Sequence, residues 1–93
     1  MYLLILATYL GILLPPVECD YEPTTPYIIY EYPLIEVPSR CLRPKDPILA
    51  CTYFNLSPAE IIMPKIDKVI TPILYNTLLR HEKAHVNCGI WHE

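Results

Sequence analysis

The sequence predicts a small α+β domain, a short β-hairpin packed on one C-terminal metal-binding helix, preceded by a signal peptide and a Pro/Tyr-rich arm. Three observations predict it. All three histidines of the 93-residue chain lie after position 80, two of them in His81-Glu82-Lys83-Ala84-His85. The residues leading into that motif keep a helical spacing of apolar positions. Just upstream, residues 48–54 and 60–63 are rich in β-branched, aromatic and other apolar residues and are separated by a loop, as two short strands would be.

The helix can be bounded from local chemistry. Thr71 followed by Pro72 reads as an N-cap and first helical residue, because a proline there gives up no needed N–H. Residues 72–85 contain no Gly and no further Pro, and Leu74, Leu78, His81 and His85 form one stripe of a helix. Gly89 supplies the stop.

Residues four apart on a helix face nearly the same way, roughly 6 Å apart along the axis. His81 and His85 can therefore converge on one ion, with Glu82 beside them. His-Glu-x-x-His is the pattern in which two imidazoles bind Zn²⁺ and the Glu acts as general base. On an ordinary amphipathic helix, by contrast, Glu82 would be a solvated residue with no water to activate.

The third ligand depends on the path after His85. Were the helix to continue, His92 would lie about 10.5 Å further along, too far to share an ion bound at roughly 2.0–2.1 Å per nitrogen. A break at Gly89 lets His92 return, and His92 is the expected third ligand. Gly89 and His92 each come one residue later than in the long metzincin motif, His-Glu-x-x-His-x-x-Gly-x-x-His, so the chain is not assigned to that group.

At the N-terminus, residues 2–17 are almost wholly apolar and carry no charge. They fall short of the ~20 residues that span a bilayer and read as a signal-peptide core. Residues 1–19 are expected to be a signal peptide or N-terminal anchor, with a tolerable cleavage site at Val17-Glu18-Cys19. A lipid-modified Cys19 fits less well, since Glu18 stands where a small residue is expected. The protein is thus expected to be exported: periplasmic, secreted or membrane-anchored through residues 1–19.

Residues 20–46 read as an extended acidic arm, broken by Pro23, Pro26, Pro33 and Pro38. Within it, residues 27–32 have the composition of a short strand, and one functional reading lays this segment over the metal cleft. Residues 47–93 form the minimal zinc domain. Every basic residue comes at or after Arg40 and the net charge is −3, so no basic, aromatic-interleaved patch offers a nucleic-acid surface. Contact with a membrane is expected only through an uncleaved N-terminal segment.

Cysteines in an exported chain favour disulfides. Cys41 and Cys51 flank one loop and make the preferred pair. Cys88 is left to bond Cys51, to stay free, or to ligate zinc in place of His92.

Several segments, Cys51-Thr52-Tyr53-Phe54, Ile61-Ile62-Met63-Pro64-Lys65 and Arg80-His81-Glu82-x-x-His85-x-Asn87 with Gly89 and Trp91 soon after, resemble a set of small secreted bacterial proteins. Those proteins are mostly uncharacterised and share a His-Glu-x-x-His-x-Asn-Gly-Trp-like core. The resemblance implies a zinc-dependent hydrolase of minimal size, with His81 and His85 as ligands and Glu82 as the catalytic residue. Cys88 and Ile90 depart from the pattern as insertions around Gly89.

The functional expectation is a zinc-dependent metallohydrolase, a peptidase with a peptide or protein substrate, in which Glu82 activates water. Tyr75, Tyr53 and Arg80 are the oxyanion candidates. An edge of the hairpin could bind substrate backbone, or the strands could simply cover the helix. The alternative is a non-catalytic, zinc-stabilised exported interaction or assembly protein.

Overall fold

Strand β3 (Ala59–Pro64) is the centre of a three-stranded sheet in a computed structural model that describes residues 14–92. Strand β1 (Tyr27–Tyr32) runs parallel to it, Tyr27 opposite Ala59 and Tyr32 opposite Pro64. Strand β2 (Cys51–Tyr53) runs antiparallel, Cys51 opposite Ile62 and Tyr53 opposite Glu60. The β2–β3 pair is the expected hairpin, with a shorter first strand: Ile48, Leu49 and Ala50 pack into the apolar clusters instead of extending β2.

Both faces of β3 are covered, which explains why Ile61-Ile62-Met63 reads as one apolar run instead of an alternation. Ile61 and Met63 meet Leu78 of the C-terminal helix. Ile62 meets Val37 and Cys41 on the other side. Each such aliphatic side chain contributes roughly 1.5–3 kcal/mol when fully buried.

Two helices flank the sheet, α1 (Val37–Arg40) and α2 (Pro72–Cys88). The Thr71 hydroxyl accepts the Leu74 N–H at 3.2 Å, Pro72 occupies the first helical position, and Gly89 N–H closes the last turn onto the His85 carbonyl at 2.8 Å. These are the boundaries expected from local chemistry.

Residues 20–46 take up more regular structure than an extended arm would. They supply β1, a 3-10 turn at Leu34–Glu36 and α1. The physical reason is the second face of β3, which Val37 and Cys41 bury against Ile62. β1 lies on the sheet edge away from β2, and none of its residues borders the histidines.

A second connection had no counterpart in the sequence reading. Cys19 is bonded to Cys88, across 69 residues, and Cys41 to Cys51 as expected. Cys88 is therefore neither free nor a metal ligand, and the Cys19 sulfur is not available for lipid attachment. The stretch after Cys19 lies along α2. The Asn87 amide donates one N–H to the Cys19 carbonyl at 2.9 Å and the other to the Tyr21 carbonyl at 2.7 Å. Arg80 pairs with Asp20, and Lys83 with Glu22 at 2.7 Å.

The apolar run at residues 2–13 lies outside the described residues. Among those described, no helix is long and apolar enough to cross a membrane. Two disulfides with no free cysteine suit an oxidising compartment.

Candidate metal centre

The geometry of α2 sets His81 and His85 one turn apart on the same face, and the reversal at Gly89 brings back His92. Gly89 has φ 65° and ψ −130°, a conformation that side-chain-bearing residues rarely adopt. Beyond it, the His92 Nε2 comes to 2.9 Å from His81 Nε2 and 3.0 Å from His85 Nε2, while His81 and His85 stand 3.2 Å apart. Nitrogens bound at roughly 2.0–2.1 Å around one tetrahedral ion are separated by about 3.3–3.4 Å. The three imidazoles come within about 0.5 Å of that spacing, and this group could hold a metal.

The tautomer of His85 is set locally. Its Nδ1 lies 2.7 Å from the Gly89 carbonyl oxygen, which can only accept, so Nδ1 carries the hydrogen. In the neutral ring the lone pair then sits on Nε2, the atom that faces the other two histidines. Burial also pushes the His85 pKa down, against the opposing pull of the Gly89 carbonyl, and so favours the neutral form that binds metals. Trp91 packs against the cluster, stacked on His85 with ring centroids 5.1 Å apart and 4.8 Å from His81.

Glu82 is only 4% exposed. Burial raises its carboxyl pKa to about 7, with the Thr52 hydroxyl holding it back. Thr52 donates to Glu82 Oε1 at 2.7 Å, with the Glu82 carbonyl also within reach at 3.2 Å. One carboxylate oxygen is thus anchored on β2. The other, Oε2, lies 3.8 Å from His81 Nε2 and faces the histidines.

These groups open onto a cleft of about 330 Å³ that residues between Cys41 and Phe54, together with Ile90, also line. None of the three oxyanion candidates lines it. The Tyr75 hydroxyl bonds Glu31, and burial, together with that carboxylate, pushes its pKa up to about 12. The Tyr53 hydroxyl donates to the Arg40 carbonyl at 3.2 Å, and Arg80 is paired with Asp20. Arg43 does line the cleft. Sequence reasoning passed over Arg43, Thr52 and the Gly89 carbonyl, since neither spacing nor motif marks a residue that acts across the fold.

The turn can be tested directly. A Cβ at Gly89 would sit 3.4 Å from the Phe54 ring on a backbone already unfavourable for an L-residue. Gly89→Ala is expected to cost about 1–3 kcal/mol in urea denaturation and to weaken metal uptake, because His92 would shift. Unchanged stability and uptake would show that the reversal does not depend on glycine.

No protein-family model matches this chain, and no curated protein or solved structure is significantly similar to it.

Proposed function

We propose that the protein is a small zinc-dependent hydrolase acting on peptide bonds, with Glu82 as general base. One observation carries this reading: a buried carboxylate stands beside three converging imidazole nitrogens. Burying a carboxylate is costly, and a purely structural three-histidine site has no use for it. Three histidine nitrogens are a donor set that would suit catalytic Zn²⁺, with His81, His85 and His92 holding it. When bound, zinc supplies Lewis acidity, polarising a carbonyl and acidifying water.

The chain's own residues do the rest. Glu82 takes a proton from the attacking water at Oε2 and delivers it to the leaving amine, while Thr52 holds Oε1. A pKa near 7 suits a group that must both accept and release that proton. The Gly89 carbonyl keeps His85 in the tautomer that presents Nε2. Among the described residues the outer edge of β2 has no strand beside it, and β2 borders the same cleft, so an extended peptide finds backbone partners there. The resemblance of residues 80–91 to small secreted proteins with a metal-binding helix points the same way, as do the disulfides for export.

A second reading, a non-catalytic zinc-stabilised exported protein, is favoured by the size of the core. Ile61, Met63 and Leu78 make one cluster and Val37, Cys41 and Ile62 the other, so a metal tying the C-terminal tail to α2 would matter for stability.

Metal content by mass spectrometry tests the site. About one zinc per chain is expected for the wild type and none for His85→Ala. His92→Ala is expected to lose more than the ~10–100-fold in affinity that removal of an outer-shell partner costs. No uptake by the wild type, or equal uptake by all three proteins, would remove the basis for a zinc enzyme.

A further inference from the structure

The cleft carries one fixed cation, and the backbone around it is built in an unusual way. Among the described residues that line it, Arg43 alone bears a permanent positive charge. The residue before it, Leu42, has φ 60°, the left-handed conformation that branched apolar side chains avoid, although its own side chain is 78% exposed and gains little by being there. Backbone held in such a region persists only where its surroundings over-determine it.

Here they do. Cys41 is bonded to Cys51 of β2, the Arg43 N–H donates to the Pro38 carbonyl at 2.8 Å, and the Arg43 carbonyl accepts from Asp46 N–H at 3.1 Å. The Arg43 main chain is thereby held on both sides, while among the described residues its guanidinium makes only a long, exposed contact of 3.6 Å with Asp46. A surface pair of that kind is weak and readily exchanged for a better anion. Apart from Arg43, Thr52, Glu82 and the histidines, the lining is apolar, with Ile48, Ala50, Phe54 and Ile90 beside Cys41 and Cys51. At about 330 Å³ the cleft is at the small end for ligand sites and has room for a short piece of chain.

Resting on the hydrolase reading above, we propose that the cleft takes the C-terminal end of a peptide. Its free α-carboxylate sits on the Arg43 guanidinium, and its last side chain, an apolar one, lies against Ile48, Phe54 and Ile90. A planar guanidinium matches a carboxylate through two parallel N–H donors, which a peptide amide cannot reproduce. The substrate class is then a peptide with a free, apolar C-terminus, cut near its end.

Binding tests this separately from hydrolysis. The full chain carrying Glu82→Gln, so that probes stay intact, is titrated with N-acetyl-alanyl-leucine and with its C-terminal amide, with and without a zinc chelator. Chemical shifts of cleft residues report occupancy. The acid is expected to bind at least about tenfold more tightly than the amide, in both metal states. Arg43→Ala should abolish the preference, and Arg43→Lys should restore part of it.

Equal affinities, or no saturable shifts, would overturn the proposal. So would a preference that survives Arg43→Ala, since the carboxylate would then have another partner. A third probe, N-acetyl-alanyl-glutamyl amide, should bind no better than the leucyl amide; binding as tight as the acid would place the anion on a side chain instead. Failure to bind zinc, or no peptide hydrolysis by the wild type, would sink the enzyme reading alone, because the chelated titration still decides what Arg43 holds.

Discussion

Glu82→Gln is expected to keep about one zinc per chain and to lower the rate of peptide hydrolysis by about 10²–10⁴-fold, the usual worth of a positioned general base. The amide occupies the same volume and can still accept from Thr52 through its oxygen, so the histidines should stay where they are. What it cannot do is take up the proton of the attacking water. Activity against a peptide panel, measured beside metal content, separates the two readings of the site. Zinc-loaded wild type that cleaves no peptide of the panel would leave a stabilising metal and no enzyme, and equal activity in the two proteins would take the general-base role from Glu82.

The same substitution makes a prediction about the metal-free protein. Burial lifts the Glu82 pKa from 4.5 to about 7, so the folded state holds the proton more tightly than the unfolded state does. The contribution of this group is fully present below about pH 4.5 and is lost as the pH rises through about 7, a change of about 3 kcal/mol. Glutamine does not titrate. Urea denaturation in the presence of a chelator should therefore show Glu82→Gln gaining on the wild type between about pH 4.5 and 7. His85 titrates in the opposite sense in both proteins, its lowered pKa making stability fall as the pH drops, and so cancels in the comparison. Parallel curves for the two proteins would mean that Glu82 is solvated.

The second large effect is expected from the Cys19–Cys88 bridge. Closing a loop of 69 residues removes about 4 kcal/mol of chain entropy from the unfolded state, against about 3 kcal/mol for the 10-residue loop between Cys41 and Cys51. For a domain this small, 4 kcal/mol is a large part of total stability. The double variant Cys19→Ser, Cys88→Ser should lose most of its resistance to urea. It should also bind zinc more weakly, since Cys88 stands between His85 and the reversal at Gly89. A chain beginning at Asp20 should behave in the same way. A cut before Cys19 would keep the bridge within the mature chain, so peptide mapping of the isolated protein under non-reducing conditions should recover Cys19 linked to Cys88. Recovery of a mature N-terminus at Asp20 would refute that.

What could be read from the sequence is what depends on neighbours along the chain. The limits of α2 follow from Thr71, Pro72 and Gly89, each acting within one helical turn. The shared face of His81 and His85 follows from helical geometry alone. Cys41 and Cys51 were a natural pair because they are ten residues apart on one loop. The strand at residues 27–32 was visible in composition, yet its partner was not. Pairing with β3 crosses more than twenty residues, and parallel neighbours leave no hairpin signature.

The candidate site divides along the same line. Its pattern, two imidazoles and a carboxylate on one helical turn, is a matter of spacing and belongs to the sequence by itself. Its completion was decided by tertiary structure. Thr52 reaches Glu82 across 30 positions because β2 is pinned beside α2, and the return of His92 expected from a break at Gly89 is made by the positive-φ backbone there, which brings it to His85. Arg43 faces the cleft because a disulfide and a left-handed Leu42 hold its loop. Local geometry is dictated by bond angles and helical period, whereas these contacts depend on which surfaces the whole chain can bury together.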